Sequence, residues 1–126
     1  MPKTVVRTDA APAPVDGAPY SQAIIANGLL FAAGQIGFAA DGTLDGDITT
    51  QTQRAFDNVA AILQEGGSGL EQVVKATVFM ADLGQFAEMN AVYAERMPQP
   101  FPARSTFGVA ALPGGALVEI EVVALA

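Results

Sequence analysis

Ile48, Thr52, Ala55, Phe56, Val59, Ile62 and Leu63 recur at intervals of three and four residues. That spacing lines one side of an α-helix and predicts a helix over Ile48–Glu65. Asp47 precedes it as an N-cap, and Gly66-Gly67 follows it, where a helix commonly ends on a left-handed residue. Elsewhere the pattern is that of strands. Ser21–Ile25 and Leu29–Ala33 are short apolar runs separated by Asn27-Gly28, a dipeptide suited to a type I′ turn, so they predict a hairpin. Val73–Met80, Arg104–Ala111 and Leu117–Leu125 predict three further strands, the last two joined through Leu112-Pro113-Gly114-Gly115. Lys3–Arg7 can add a first edge strand. Ala10–Pro19 and Phe38–Asp47 are expected to be loops.

A second helix is expected to run to about Arg96, opened by Asp82-Leu83-Gly84-Gln85 as a capping-box variant with Gln85 reaching back. Phe86, Met89, Asn90 and Tyr93 share its inner side. Pro98, Pro100 and Pro102 end it and send the chain extended into the next strand. The predicted order is β-β-β-α-β-α-β-β, an α+β domain with a mixed sheet covered on one face by two helices. Yet Val73, Val74, Val78 and Phe79, and Ile120, Val122, Val123 and Leu125, put apolar groups on both faces of that sheet. Two helices cover only one face, so another subunit is expected on the other.

Composition changes the picture mainly by subtraction. The 126 residues make one domain, 1–126; 51% are apolar and 15% charged, which argues for a folded chain. There is no Cys and no His, which removes Ser-His-Asp and Cys-His catalysis, disulfides and zinc sites built on those residues. Acid–base work falls to Asp, Glu, Tyr or Lys. The net charge is −7 and the six basic residues are scattered, so neither nucleic acid nor a membrane is an expected partner. No apolar run is long enough to span a bilayer, and Met1–Val15 lacks an apolar signal core, which makes the cytoplasm the expected address.

Few residues suggest chemistry on their own. Arg104 follows three prolines at the start of a strand; its planar fork suits a carboxylate, although a lone arginine is more commonly a surface residue. Glu119 and Glu121 project from one strand face, where one could pair with Arg104 or activate a water, or both could simply be solvated. Gly34, before Gln35, permits a close approach to a ligand or a backbone. Tyr20 offers a hydroxyl, or a packed turn aromatic.

Read as blocks, these segments resemble the RidA/YjgF family over nearly the whole chain. The resemblance is carried by Ala18-Pro19-Tyr20-Ser21-Gln22-Ala23, Leu30-Phe31-Ala32-Ala33-Gly34-Gln35-Ile36, Gln51 with Asn58 and Leu63, Val74-Lys75-Ala76-Thr77-Val78-Phe79, Asp82-Leu83 through Phe86, Asn90 and Tyr93, and finally Pro102-Ala103-Arg104-Ser105 and Val118-Glu119-Ile120-Glu121. It implies a chorismate-mutase-like fold, a homotrimer with sites between subunits, and hydrolysis of short 2-enamino and 2-imino acids to 2-keto acids and ammonium without metal or cofactor. By position it implies that Arg104 binds the substrate carboxylate, Glu119 activates water and Tyr20 sits near the reacting nitrogen or water. Gly34 and Thr106 would offer main-chain groups, and Phe86 and Asn90 would shape the cleft. Ala33 and Thr106 depart from the family's frequent Ser and Cys, which bears on substrate range. Deamination of 3-aminoacrylate or 2-aminomuconate, non-catalytic ligand binding, and the ribonuclease label of some relatives are the competing readings.

Overall fold

The computed structural model describes residues 2–14 and 17–126. Seven strands form one sheet: β1 (Thr4–Val6), β2 (Ala23–Ala26), β3 (Leu29–Ala32), β4 (Gln35–Ile36), β5 (Val73–Met80), β6 (Ala103–Gly108) and β7 (Val118–Leu125). Two helices, α1 (Ile48–Glu65) and α2 (Phe86–Arg96), lie on it. The sheet order is β1-β2-β3-β7-β5-β6, with β4 also paired to β7. Only β5 and β6 run parallel, connected through α2, so the sheet is mixed as expected.

Local sequence accounts for most element boundaries. Asn27 and Gly28 have φ of 52° and 77°, the positive pair that a type I′ hairpin needs. The Asp47 side chain accepts a hydrogen bond from Thr50 N at 2.8 Å, capping α1 where it was expected. Several strand ends shift by a residue or two, and three departures are larger. Gln35–Ile36 forms an additional short strand, because the chain leaving β3 stays alongside β7, opposite Ile120 and Glu119. β6 stops at Gly108 rather than Ala111. Its ladder follows β5, which ends at Met80, and Val109 N closes the pairing on Met80 O. Asp82 caps the Leu83–Gln85 3-10 turn by accepting from Gly84 N, and Gln85 makes no side-chain cap bond, so the capping box does not form. Of the expected Ala10–Pro19 loop, Val15 and Asp16 lie outside the described residues, as does Met1.

The core lies between the helices and one face of the sheet. Leu30, Ala76, Val78, Met80, Val118, Ile120, Val122 and Ala124 meet Phe56, Val59, Ile62, Leu63 and Met89 there. Buried amides hold the loops around it. Gln22 accepts from Thr8 N and donates to the carbonyls of Thr8, Ala11 and Pro12. Gln51 accepts from Leu117 N and donates to Gly46 O, while Asn58 donates to Ile36 O and Phe38 O. Each satisfies main-chain groups that would be costly to bury unpaired.

The opposite sheet face is uncovered in the single chain. Phe79 and Phe107 stack on it with ring centroids 6.4 Å apart, and Phe31 and Phe107 are 45% and 52% exposed.

Candidate functional site

Ladder register decides which predicted residues can meet. Arg104 is opposite Ala76, which is opposite Val122, and Thr106 is opposite Val78 and so level with Ile120. Side chains alternate along a strand, so Arg104 and Thr106 project toward the helix face. Glu119 is opposite Phe79, and Glu121 opposite Thr77, on the uncovered face. Arg104 and Glu119 therefore stand on opposite faces of the sheet, and the ion pair considered from sequence does not form within one chain.

On the helix side, Arg104 is held by α2. Its Nη1 donates to Asn90 Oδ1 at 2.7 Å. Its guanidinium carbon lies 4.5 Å from the Tyr93 ring centroid and 5.6 Å from that of Phe86. Phe86, Asn90 and Tyr93 are four and three residues apart and so share one side of α2. Cation–ring contacts of this kind contribute roughly 0.5–2 kcal/mol, more as water is excluded. Asn90, Tyr93, Ala94, Phe101, Pro102 and Arg104 line an open pocket of about 410 Å³.

The other arginines contrast with this one. Arg7, Arg54 and Arg96 pair with Asp9, Asp45 and Asp57 at 2.9, 2.6 and 2.8 Å. Among the described residues Arg104 has no carboxylate partner. A cation held in place but left without a counter-charge is suited to an anionic ligand.

On the uncovered face, Gly34 and Glu119 are adjacent. A Cβ at position 34 would fall 2.7 Å from Glu119 Cδ, so glycine is required for the carboxylate to lie where it does. Burial pushes the Glu119 carboxyl above the ordinary glutamate range, and the nearby Glu121 charge adds to the rise. Tyr20 joins neither group. It is 54% exposed on the approach to β2, beside Arg7, Ser21 and Gln22. The predicted residues thus fall into three places: Arg104, Asn90, Phe86 and Thr106; Glu119 and Gly34; and Tyr20. No group of three or more acidic residues among those described could hold a metal ion.

A family model described as Endoribonuclease L-PSP matches residues 8–126. A RutC family protein of Pyrococcus abyssi is 44% identical over 126 residues, covering 98% of both chains. Reactive Intermediate Deaminase A, chloroplastic, of Arabidopsis thaliana is 43% identical over 97% of this chain and 65% of its own length. The crystal structure of RidA from the Antarctic bacterium Psychrobacter superposes with a TM-score of 0.92 at 37% identity, covering 98% of this chain and 99% of that one. The chain belongs to the RidA/YjgF family. The α+β fold expected from sequence is the fold of this family. No helix among the described residues of this RidA/YjgF member is long and apolar enough to cross a membrane.

Tyr93 was not among the predicted site residues. Its place in the α2 pattern put it on the inner side, but nothing in the pattern indicated that its ring would face Arg104 rather than only the core.

Proposed function

We propose that the protein hydrolyses short 2-enamino and 2-imino acids, of the 2-aminoacrylate and 2-aminocrotonate type, to 2-keto acids and ammonium. The observation that carries this reading is Arg104, held by Asn90 and two aromatic faces, bare of any carboxylate among the described residues, and opening on a pocket. The similarity to a protein named Reactive Intermediate Deaminase A supports it.

In this scheme Arg104 takes the substrate carboxylate through its remaining N–H groups. The enamine tautomerises to the imine, and water adds at C2. The resulting carbinolamine takes up a proton on nitrogen and expels ammonia as the hydroxyl proton leaves, giving the keto acid. Glu119 serves as the base for water, and its raised pKa favours that role, since a base nearer neutrality is both available and effective. Tyr20 and the main-chain groups of Gly34 and Thr106 orient the reacting atoms. The scheme requires neither metal nor cofactor.

Because Arg104 and Glu119 project from opposite faces of one sheet, a complete site takes Arg104 from one chain and Glu119, Gly34 and Tyr20 from a neighbour. A homotrimer supplies such clefts and covers the Phe31, Phe79 and Phe107 face at the same time.

RNA cleavage, the activity in the family description, is the poorer reading. The chain has no His, a net charge of −7, and one arginine at the site rather than a basic track.

The test is turnover of 2-aminoacrylate generated in place by a dehydratase, read as faster appearance of pyruvate, alongside 3-aminoacrylate and 2-aminomuconate. Arg104→Ala is expected to abolish most of the acceleration. Wild-type rates in a folded Arg104→Ala protein would put the site elsewhere, and a wild-type protein that binds these acids without turning them over would make it a binding protein.

A further inference from the structure

Tyr93 presents a physical puzzle. It is 4% exposed, and its hydroxyl is buried with no hydrogen-bond partner among the described residues. An unpaired buried hydroxyl costs free energy that a phenylalanine would not incur. The ring, by contrast, is fully engaged. It packs edge-on against Phe56 at 5.7 Å, with an interplanar angle of 70°, and lies 4.5 Å from the Arg104 guanidinium.

Arg96 provides an internal comparison. It too lies over an aromatic ring, that of Phe56 at 5.5 Å, but it also binds Asp57 and Gln53, so its charge is neutralised where it stands. Arg104 has the closer ring and no carboxylate among the described residues. An aromatic face attracts a cation through its quadrupole without consuming an N–H group or cancelling the charge. A carboxylate support would do both.

We propose that Tyr93 is a positioning residue for Arg104. Its ring face holds the guanidinium in a fixed orientation while leaving the charge and the free N–H groups available to an anion. The value of this to catalysis rests on the proposed role of Arg104; the positioning itself does not. A long side chain on an edge strand would otherwise lose rotamer freedom each time an anion bound, and the ring removes that freedom beforehand.

The hydroxyl has no part in this, so Tyr93→Phe and Tyr93→Met separate the two features. Met fills the space flexibly but presents no ring face. In the wild-type protein, the Arg104 Nε–H resonance is expected to carry a ring-current shift. Tyr93→Phe should keep that shift, bind pyruvate within about two-fold of wild type and melt no lower, since it loses only an unpaired hydroxyl. Tyr93→Met should lose the larger part of the shift, leaving what the more distant Phe86 ring contributes, weaken pyruvate binding on the order of ten-fold and raise KM for imine hydrolysis while leaving kcat largely intact.

Absence of a ring-current shift in the wild-type protein would overturn the proposal without recourse to any variant. So would a Tyr93→Phe loss as large as that of Tyr93→Met, which would assign the effect to the hydroxyl. Pyruvate binding unchanged in Arg104→Ala, with the wild-type shift present, would instead remove the anion reading and leave the positioning in place.

Discussion

At the scale of single residues, two charges carry the proposed chemistry, and each makes its own prediction. Truncating Arg104 removes charge-assisted hydrogen bonds, each contributing ~1.5–3 kcal/mol, so losing two is expected to lower kcat/KM on the order of 100-fold or more. Arg104→Lys should recover little, because an ammonium cannot reproduce the planar fork that lies over the Tyr93 and Phe86 rings. Steady-state kinetics of the two variants checks this. Glu119 makes a prediction about pH. Its carboxyl is raised first by burial and second by Glu121, so Glu121→Gln should move the acid limb of the rate profile to lower pH without restoring an ordinary glutamate. The same raised pKa means that ionised Glu119 destabilises the fold above that pKa and costs nothing once both folded and unfolded forms are protonated. Glu119→Gln should therefore slow turnover yet raise the melting temperature at neutral pH, with the gain fading as the pH falls through the raised pKa toward the ordinary glutamate range. A melting temperature that drops at neutral pH would show that the carboxylate is stabilised rather than strained in the fold.

At the scale of elements, the predictable features are those decided by a few neighbouring residues. Asp47 caps α1 through Thr50 N, and that hydrogen bond holds its carboxyl below the usual aspartate range. The stabilisation is present above the unfolded pKa and is lost as pH falls through the lowered folded one. Asp47→Ala should accordingly reduce the melting temperature at neutral pH, with a smaller difference in acid, as thermal denaturation followed by circular dichroism would register. The α2 start behaves otherwise. Asp82 and Gln85 have the spacing of a capping box, yet Asp82 turns to Gly84 and closes a 3-10 turn ahead of the helix. The motif names the residues that can cap, while the path of the chain arriving from β5 selects the donor that is within reach.

At the scale of the whole molecule, the unfinished face of the sheet is the feature with consequences. Phe31 and Phe107 are too exposed, and Phe79 and Phe107 too well stacked, for that face to be indifferent to contact. The proposed trimer should appear as three chains by light scattering. Phe107→Asp would place a charge in the buried contact and should release monomers that keep their circular dichroism but lose activity, because no single chain joins Arg104 to Glu119. A fully active monomer would overturn both the assembly and the shared cleft.

The sequence by itself determined most of the elements and their order, β4 excepted, and named the residues with the chemistry to serve as candidates. Helix periodicity, the Asn27-Gly28 turn and the Asp47 cap are decided within a few residues, and the RidA/YjgF blocks are collinear with the chain. Only the tertiary structure decided which of those residues meet. Sheet order is a long-range property, and it set β7 between β3 and β5, put β4 beside Glu119, and left β6 at the edge against α2. Whether a residue faces the helices or the uncovered side then depends on register, which a shift of one residue would invert. That is why Arg104 and Glu119, read together as a candidate pair from the sequence, project from opposite faces of the sheet. It is also why Tyr93, indistinguishable along the chain from any other inward aromatic of α2, proves to lie beneath the guanidinium.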